Sequence, residues 1–354
     1  MDQQRTEMLI VDKDVENLEE SEAVQLAAER LRAGEVVAFP TETVYGLGGN
    51  AFSDEAIHRI FQAKGRPSDN PLIVHIAEKN QLKDYVTSVP EHAEKLMDAF
   101  WPGPLTLVLK HSGTLSERVT ASLPTVAVRM PDHPVALAVI RAANLPLAAP
   151  SANTSGRPSP TTAKHVYEDL QGKIRTILDG GPTGVGLEST VVDCTGDEVI
   201  ILRPGGITKE ALERVVDKVG IDPALFEGNK AVPKSPGMKY THYAPAAPLC
   251  LIDGDLIFFK KKVEEAEAEG KRVGVLVTEE AAGVIQAHKE IIVGKKSDLA
   301  AVARTLYVSL RAFEAGEVDV IFSEVFPETE LGSAIMNRLR KAAGGVVLKD
   351  ENNS

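Results

Sequence analysis

The sequence has few of the residues that build disulfide frameworks, thiolate metal sites or base-stacking surfaces. Cys194 and Cys250 are its only cysteines among 354 residues, and their spacing matches neither a metal-ligand nor a redox motif. Aromatic residues make up 5% of the chain, with no strip of interleaved basic and aromatic residues like those that stack RNA bases. These absences argue against a disulfide scaffold, a zinc module and an RNA-stacking platform.

Long apolar runs and export signals are also missing. No hydrophobic segment approaches membrane-spanning length, and the first twenty residues, MDQQRTEMLIVDKDVENLEE, are too acidic for a signal peptide. The formal net charge of −12 has the wrong sign for a protein that coats nucleic acid non-specifically. We therefore expect a cytoplasmic protein without a membrane partner, while a local basic cleft stays compatible with this charge.

The pattern of elements predicts two α/β domains joined by a proline-rich linker. Single cores rarely grow beyond ~250–300 residues, so a chain of this length favours two domains. Helices and strands alternate irregularly in the first part, including a helix over 207–219, which predicts a mixed twisted sheet. Residues 221–248 contain five prolines and two glycines and read as a linker. The predicted domains are therefore 1–220 and 249–354.

The second domain is predicted to be a small parallel, Rossmann-like α/β domain. Its strands alternate with helices at about 258–269, 279–288, 297–315 and 330–343. Its first strand is followed by DGDLIFF, not by the glycine pattern of dinucleotide-binding domains. The sequence leaves its role open, and structural support is the default interpretation.

Five loops of the first domain combine hydroxyls or cations with glycine and proline. They are KGRPSDNPL (64–72), LPTVAVRMPDHP (123–134), APSANTSGRPSPTT (149–162), GPTGVGLESTVVD (181–193) and LRPGGI (202–207). Ligands of α/β proteins bind at strand ends, so we expect these loops to gather around one site. Their cations would then surround a polyanion: Lys64, Arg66, Arg129, Arg157 and Arg203.

Two segments allow a plainer interpretation. In FPTETVYGLGGNA (39–51), glycines 46, 48 and 49 would let a ligand approach the backbone, but the segment could equally be a strand-to-helix turn capped by Thr43. Lys64 and Arg66 could be solvated surface charges, and His75 could be a hydrogen-bonded core residue.

The sequence carries no signature of covalent catalysis. Ser151 and Ser189 lack a G-x-S-x-G elbow, and neither H-E-x-x-H nor the phosphate loop G-x-x-x-x-G-K-[ST] occurs. What remains is a site that positions substrates and neutralises phosphate charge, as phosphoryl and nucleotidyl transfer require.

Six motifs, in order, resemble the YrdC-domain family: PTETVYGLG, KGRPSDNPLIVH, TVAVRMPDH, APSANTSGRPSPT, GLESTVVD and LRPG. SPGMKYTHYAP followed by a small α/β domain resembles the long, two-domain form of that family.

The resemblance covers nearly the whole chain and implies a YrdC-like catalytic domain over 1–220. It also implies a nucleotidyltransferase that makes L-threonylcarbamoyladenylate and pyrophosphate from L-threonine, bicarbonate or CO2, and ATP with Mg2+. Other proteins would pass the product to tRNA as threonylcarbamoyladenosine (t6A), and weak or transient tRNA contact by this chain stays open.

The same resemblance assigns roles to individual residues. Lys64 and Arg66 would be the catalytic cations that hold the ATP phosphates, and Tyr243 would reach from the linker, acting as a lid, over the bound nucleotide. No residue is assigned to a metal. The threonine pocket would contain Thr43, His75, Arg129 and Ser189, and the remaining nucleotide contacts would be Asn70, Thr125, Ala149, Ser151, Asn153 and Arg203.

Two other functions remain possible from the sequence. The chain could be an RNA-binding or ribosome-maturation module without ATP turnover, because the YrdC-like fold has a concave, positively charged face. It could also be a carbamoyltransferase acting through carbamoyl-AMP. Such carbamoyltransferases carry zinc-finger-like cysteines and an acylphosphatase-like segment, and this sequence has neither.

Overall fold

The computed structural model describes residues 5–227 and 242–350, which form two compact units. Among these residues, the first unit contains 5–155 and 159–227, and the second contains 156–158 and 242–350. The short segment Gly156–Pro158 therefore groups with the second unit, although the chain on both sides of it belongs to the first.

The first unit is built around a mixed sheet of eleven described strands. The order is β1-β8-β2-β3-β7-β4-β6-β5-β9-β10-β11, with both parallel and antiparallel neighbours. The strands are β1 (Glu7–Ile10), β2 (Val37–Phe39), β3 (Gly46–Asn50), β4 (Ile73–His75), β5 (Leu105–Lys110), β6 (Thr125–Arg129), β7 (Leu147–Ala148), β8 (Thr176–Asp179), β9 (Thr190–Asp193), β10 (Val199–Arg203) and β11 (Val219–Ile221). The predicted mixed twisted sheet is confirmed.

Helices cover this sheet through apolar faces. They are α1 (Glu22–Arg32), α2 (Asp54–Lys64), α3 (Glu91–Phe100), α4 (Glu117–Thr120), α5 (Pro134–Ala143), α6 (Ala163–Leu170), α7 (Lys209–Glu213) and α8 (Ala224–Glu227), with 3-10 helices at Leu18–Glu20 and Lys79–Asp84. In α2, Ser53 accepts a hydrogen bond from Ala56 N and begins the helix, while Gly65, at φ 62°, ends it. Ile57 and Ile60 of this helix are wholly buried, and each such side chain contributes about 1.5–3 kcal/mol of apolar burial.

The glycines of segment 39–51 lie in strand β3, between β2 and β7. A Cβ atom on Gly48 would lie 2.5 Å from Cε1 of the buried Phe39 ring. At Gly48, glycine is therefore required by tight packing between neighbouring strands. The predicted glycine loop is wrong for this position, which lies in a strand, while the approach of a ligand to this backbone stays a prediction. The helix-cap alternative for Thr43 is wrong, because Ser53 caps the next helix.

The second unit contains a five-stranded sheet in which all described pairs are parallel. The strands β12 (Leu249–Asp253), β13 (Val273–Val277), β14 (Lys289–Ile292), β15 (Val320–Glu324) and β16 (Val347–Lys349) lie in the order β14-β13-β15-β12-β16. Its helices are α9 (Leu256–Ala268), α10 (Leu299–Arg311) and α11 (Leu331–Ala342). The predicted parallel α/β domain is confirmed, and it has its own buried apolar cluster.

Three predicted elements differ in the structure. The helix expected over 207–219 is shortened to Lys209–Glu213 and is followed by strand β11. Residues 279–288 form turns, not a helix, with Gly283 at φ 72°. The predicted linker starts inside β11 and includes α8, while its central part, 228–241, lies outside the described residues.

In the part of the chain that the structure describes, no helix is both long enough and apolar enough to span a bilayer.

Candidate active site

A row of functional side chains crosses neighbouring strands of the large sheet. His75 is the last residue of β4 and pairs with Arg129, the last residue of β6. Arg129 pairs in turn with Thr106 of β5, and both Thr106 and Arg203 lie opposite Val191 of β9. The strand register thus places cations, an imidazole and a hydroxyl at one level of the sheet, although they are far apart in sequence.

Arg129, one of the two cations of this row, contacts three different groups. Its side chain is buried, Nη1 donates to Thr43 Oγ1 at 3.0 Å, and Nε donates to Gly103 O at 3.3 Å. Nη2 lies 2.6 Å from Glu42 Oε2. The structure therefore places Arg129, Thr43 and His75 next to one another, while their contact with threonine stays a prediction.

His75 is buried beside this cation and is held neutral. Burial, and then the positive charge of Arg129, lower the pKa of His75 to about 3. Because a carbonyl oxygen only accepts, Nδ1 donates to Ile73 O at 3.2 Å. An uncharged imidazole leaves Arg129 as the positive group at this point of the site.

The loop that carries Thr43 is fixed by its own hydroxyls. Thr41 Oγ1 lies 2.8 Å from Thr43 Oγ1, donates to Val44 O at 2.6 Å and accepts from Thr43 N at 3.2 Å. A loop fixed in this way holds Thr43 against Arg129 without help from a helix.

Ser189, the fourth predicted threonine residue, is joined to Arg203. Arg203 Nε and Nη2 donate to Ser189 O at 3.1 and 3.0 Å, and Nη2 also reaches Ser189 Oγ at 3.1 Å. The Ser189 hydroxyl lies 2.8 Å from Thr106 Oγ1. Thr106 therefore bridges the Arg129 and Ser189 parts of the row, and sequence reasoning missed it because a threonine inside an apolar strand gives no signal.

Gly205 allows the turn after Arg203 to lie against the segment that carries Ser189. A Cβ atom at this position would come within 2.4 Å of both Glu188 O and Thr190 N, which are backbone atoms that cannot easily move. We expect Gly205→Ala to lower the free energy of unfolding by about 1–3 kcal/mol, because overpacking displaces the backbone. Chemical denaturation measures this loss.

Gly196→Ala is the matched control, since a Cβ atom there meets no atom within 4 Å. A Gly205→Ala protein as stable as the Gly196→Ala protein would contradict the close approach of the two backbones.

Lys64 does not lie on a stiff loop, as the sequence suggested, but is the last residue of helix α2. It is buried, and Nζ donates to the carbonyl oxygens of Ser151 and Asn153, the latter at 2.7 Å. Ser151 Oγ donates to Asn153 Oδ1 at 2.5 Å. The structure thus unites three predicted nucleotide residues and uses Lys64 to hold the backbone of segment 149–162.

Arg66 and Asn70 lie in the short segment between α2 and β4. Arg66 is half-buried, and its Nη2 donates to Pro71 O at 3.2 Å. Asn70 is buried, with no hydrogen-bond partner for Oδ1 in the described structure. A buried amide oxygen in this state is an acceptor that a ligand could satisfy.

The remaining nucleotide residues are spread more widely. Ala149 follows β7, and its N–H donates to Ile73 O at 2.9 Å. Thr125 begins β6, so it lies about 13 Å from Arg129 at the other end of the strand. Tyr243 belongs to the second unit, where its ring is 5% exposed and stacks on Tyr307 at 5.3 Å. Its predicted contact with a nucleotide stays a prediction.

The described residues contain no group of three or more His, Cys, Asp or Glu side chains that could hold a metal ion.

The fold and this site define a two-domain YrdC-type protein. The family model Sua5_yciO_yrdC, described as "Telomere recombination", matches residues 29–205, and a model described as "Threonylcarbamoyl-AMP synthase, C-terminal domain" matches residues 207–344. The chain therefore belongs to the threonylcarbamoyl-AMP synthase family, and it is an enzyme of the nucleotidyltransferase class.

Individual relatives agree over nearly the full length. The threonylcarbamoyl-AMP synthase of Bacillus subtilis is 56% identical, over 91% of this chain and 93% of the relative. That of Pyrococcus abyssi is 48% identical, over 92% and 95%. The crystal structure of P. abyssi Sua5 complexed with L-threonine superimposes with a TM-score of 0.92 at 45% identity, covering 98% of this chain and all of that one.

Proposed function

We propose that the chain converts L-threonine, bicarbonate and ATP into L-threonylcarbamoyladenylate, pyrophosphate and water, or takes CO2 in place of bicarbonate and then releases no water. The observation that carries the proposal is the buried contact of Arg129 with Thr43 beside neutral His75. A matching structure at TM-score 0.92 was solved with L-threonine, which supports threonine as the amino acid bound here.

The proposed chemistry needs positioning and charge neutralisation more than a strong nucleophile. The bound ammonium group of threonine first loses a proton; the neutral amine then captures CO2 and gives up a second proton as the carbamate forms. A carbamate oxygen attacks the α-phosphorus of ATP, and the bond from that phosphorus to the leaving pyrophosphate breaks. Both reactants are anions, so their approach is opposed by charge repulsion, which fixed cations reduce. We assign the threonine carboxylate to Arg129 and the phosphates to Arg66, with the Asn70 Nδ2 group donating to a phosphate oxygen as a further contact.

In this proposal Lys64 positions the protein backbone, whereas the resemblance assigned it to the ATP phosphates. Its ammonium group faces the carbonyls of Ser151 and Asn153, so it positions the segment that would hold the nucleotide. Mg2+, bound to the triphosphate, would neutralise further charge.

The product would serve tRNA modification. We propose that downstream transfer proteins pass the threonylcarbamoyl group to adenosine as t6A, and that the reaction takes place in the cytoplasm, where ATP and tRNA are available. Relatives named as synthases along nearly the whole chain support an enzyme over an RNA-binding module without turnover.

Pyrophosphate release tests the reaction directly. Purified protein with ATP, Mg2+ and bicarbonate should release pyrophosphate only when L-threonine is present, and weakly with L-serine. Release without threonine would favour the carbamoyl-AMP alternative, and no release from folded protein would overturn the proposal and make tRNA the next ligand to test.

Truncation tests the proposed role of the linker. Strand β11 pairs Val219–Ile221 with Val199–Ile201, so the chain should be cut after Glu227, not after residue 220. We expect residues 1–227 to fold, with pyrophosphate release reduced at least about 10-fold because Tyr243 and the proposed lid are lost.

A chain cut after residue 220 is the companion variant, and its melting temperature should be lower because Ile221 is lost from the sheet. Undiminished release by residues 1–227 would refute the lid.

A further inference from the structure

Glu42, a residue of the PTETVYGLG motif to which the resemblance assigns no role, carries a buried carboxylate beside Arg129. Its side chain is 13% exposed, and Oε2 lies 2.6 Å from Arg129 Nη2. The approach does not meet hydrogen-bond geometry, and neither Glu42 oxygen has a hydrogen-bond partner among the described residues. A buried carboxylate in this state is costly, so its retention needs an explanation.

The position of Glu42 is fixed by its backbone. The N–H groups of Gly184 and Val185 donate to Glu42 O at 3.1 and 2.7 Å. On its other side the chain continues into Thr43, which Arg129 and Thr41 hold. The backbone that carries the Glu42 carboxylate is therefore fixed by hydrogen bonds within the site, and Glu42 is not a mobile surface residue.

Burial also separates Glu42 from Asp132, a second carboxylate nearby. Asp132 is exposed as a residue, but its carboxyl group is partly buried. This partial burial, and then the negative charge of Glu42, raise the pKa of Asp132. Glu42 is thus the carboxylate that lies against Arg129, while Asp132 lies close enough to be affected by its charge.

An α-amino acid matches this pair of charges. Its carboxylate requires a cation, which Arg129 supplies, and its ammonium group requires a hydrogen-bond acceptor of negative charge. The ammonium donates the N–H bonds that the Glu42 oxygens lack, so a bound amino acid would relieve the cost of the buried carboxylate.

We propose that Glu42 binds the α-ammonium group of L-threonine and thereby selects substrates that carry an amine next to the carboxylate. The inference rests on the proposed function and adds to it the residue that recognises the group to be carboxylated. A purely structural counter-ion of Arg129 would affect every carboxylate ligand, whereas an ammonium-binding residue affects only ligands with the amine.

The two roles are separated by calorimetric titration with two ligands on the full chain. The ligands are L-threonine and 2,3-dihydroxybutanoate, in which a hydroxyl replaces the amine. We expect Glu42→Gln to weaken L-threonine binding about 10- to 100-fold, the range for losing charge-assisted hydrogen bonds. The same variant should bind dihydroxybutanoate at least as well as the wild type does, because no buried charge is then left unpaired.

Asp132→Asn is the matched control, since it removes a nearby negative charge, and it should bind L-threonine within about 3-fold of the wild type. Glu42→Asp keeps the charge and should bind L-threonine more tightly than Glu42→Gln, which gives a second test if the glutamine variant folds poorly. Equal losses for both ligands, or no loss for either, would overturn the role of Glu42 while leaving the proposed function intact. A wild-type protein that binds no L-threonine would overturn both.

Discussion

Replacing Arg129 with lysine should lower kcat/KM for L-threonine by about 100-fold, equivalent to about 2.7 kcal/mol. Arg129 uses three nitrogens in three directions, toward Thr43, Gly103 and Glu42, and a lysine ammonium on a flexible stem cannot reproduce that arrangement. The effect should appear mainly in KM for threonine, because this cation is assigned to the substrate carboxylate. Steady-state pyrophosphate release at varied threonine concentration measures it.

Arg118→Lys is the control for this substitution, since Arg118 is exposed on helix α4 and its replacement should leave the kinetics unchanged. An unchanged KM for threonine in Arg129→Lys would remove Arg129 from the substrate site.

Arg129→Ala should also lower the stability of the fold by about 3–5 kcal/mol, because it leaves the Glu42 carboxylate buried without its cation.

Much of the sheet could be predicted from the sequence because its central strands are short apolar runs with clear ends. Strand β6 and helix α5 follow one another as predicted, and Asn144, in the left-handed conformation, ends the helix. The edge strands β1 and β16 were missed, because half-exposed strands of three or four residues lack a continuous apolar pattern. Strand β11 was hidden at the junction between a predicted helix and the predicted linker.

The site was predicted in part, and the errors have a physical cause. Prolines near Lys64 suggested a loop, yet Gly65 is the left-handed residue that ends a helix, so α2 extends to Lys64. Individual motifs could be found from residue types, but the row from His75 through Thr106 to Arg203 depends on strand register. Glu42 could not be found at all, because an acidic residue in a polar loop shows its burial only once the chain has folded.

Replacing Arg66 with alanine should lower kcat by about 30- to 1000-fold, a loss of about 2–4 kcal/mol of transition-state stabilisation. Arg66 is the better candidate for the reacting phosphate because Lys64 directs its ammonium group toward two backbone carbonyls. Charge that develops on the leaving pyrophosphate requires a fixed cation, and removing that cation raises the barrier more than it weakens substrate binding. Single-turnover measurements at saturating ATP and threonine report this barrier.

The control is Arg59→Ala, because Arg59 lies on the preceding helix, is half-exposed and forms a surface ion pair with Glu55. Its loss should change kcat by less than about 3-fold, since exposed ion pairs contribute little. L-threonine binding should be the same in both variants, because Arg129 is assigned to the threonine carboxylate. A wild-type single-turnover rate in Arg66→Ala would exclude Arg66 from the chemical step, and the phosphate charge would then have to be neutralised by another cation of the site.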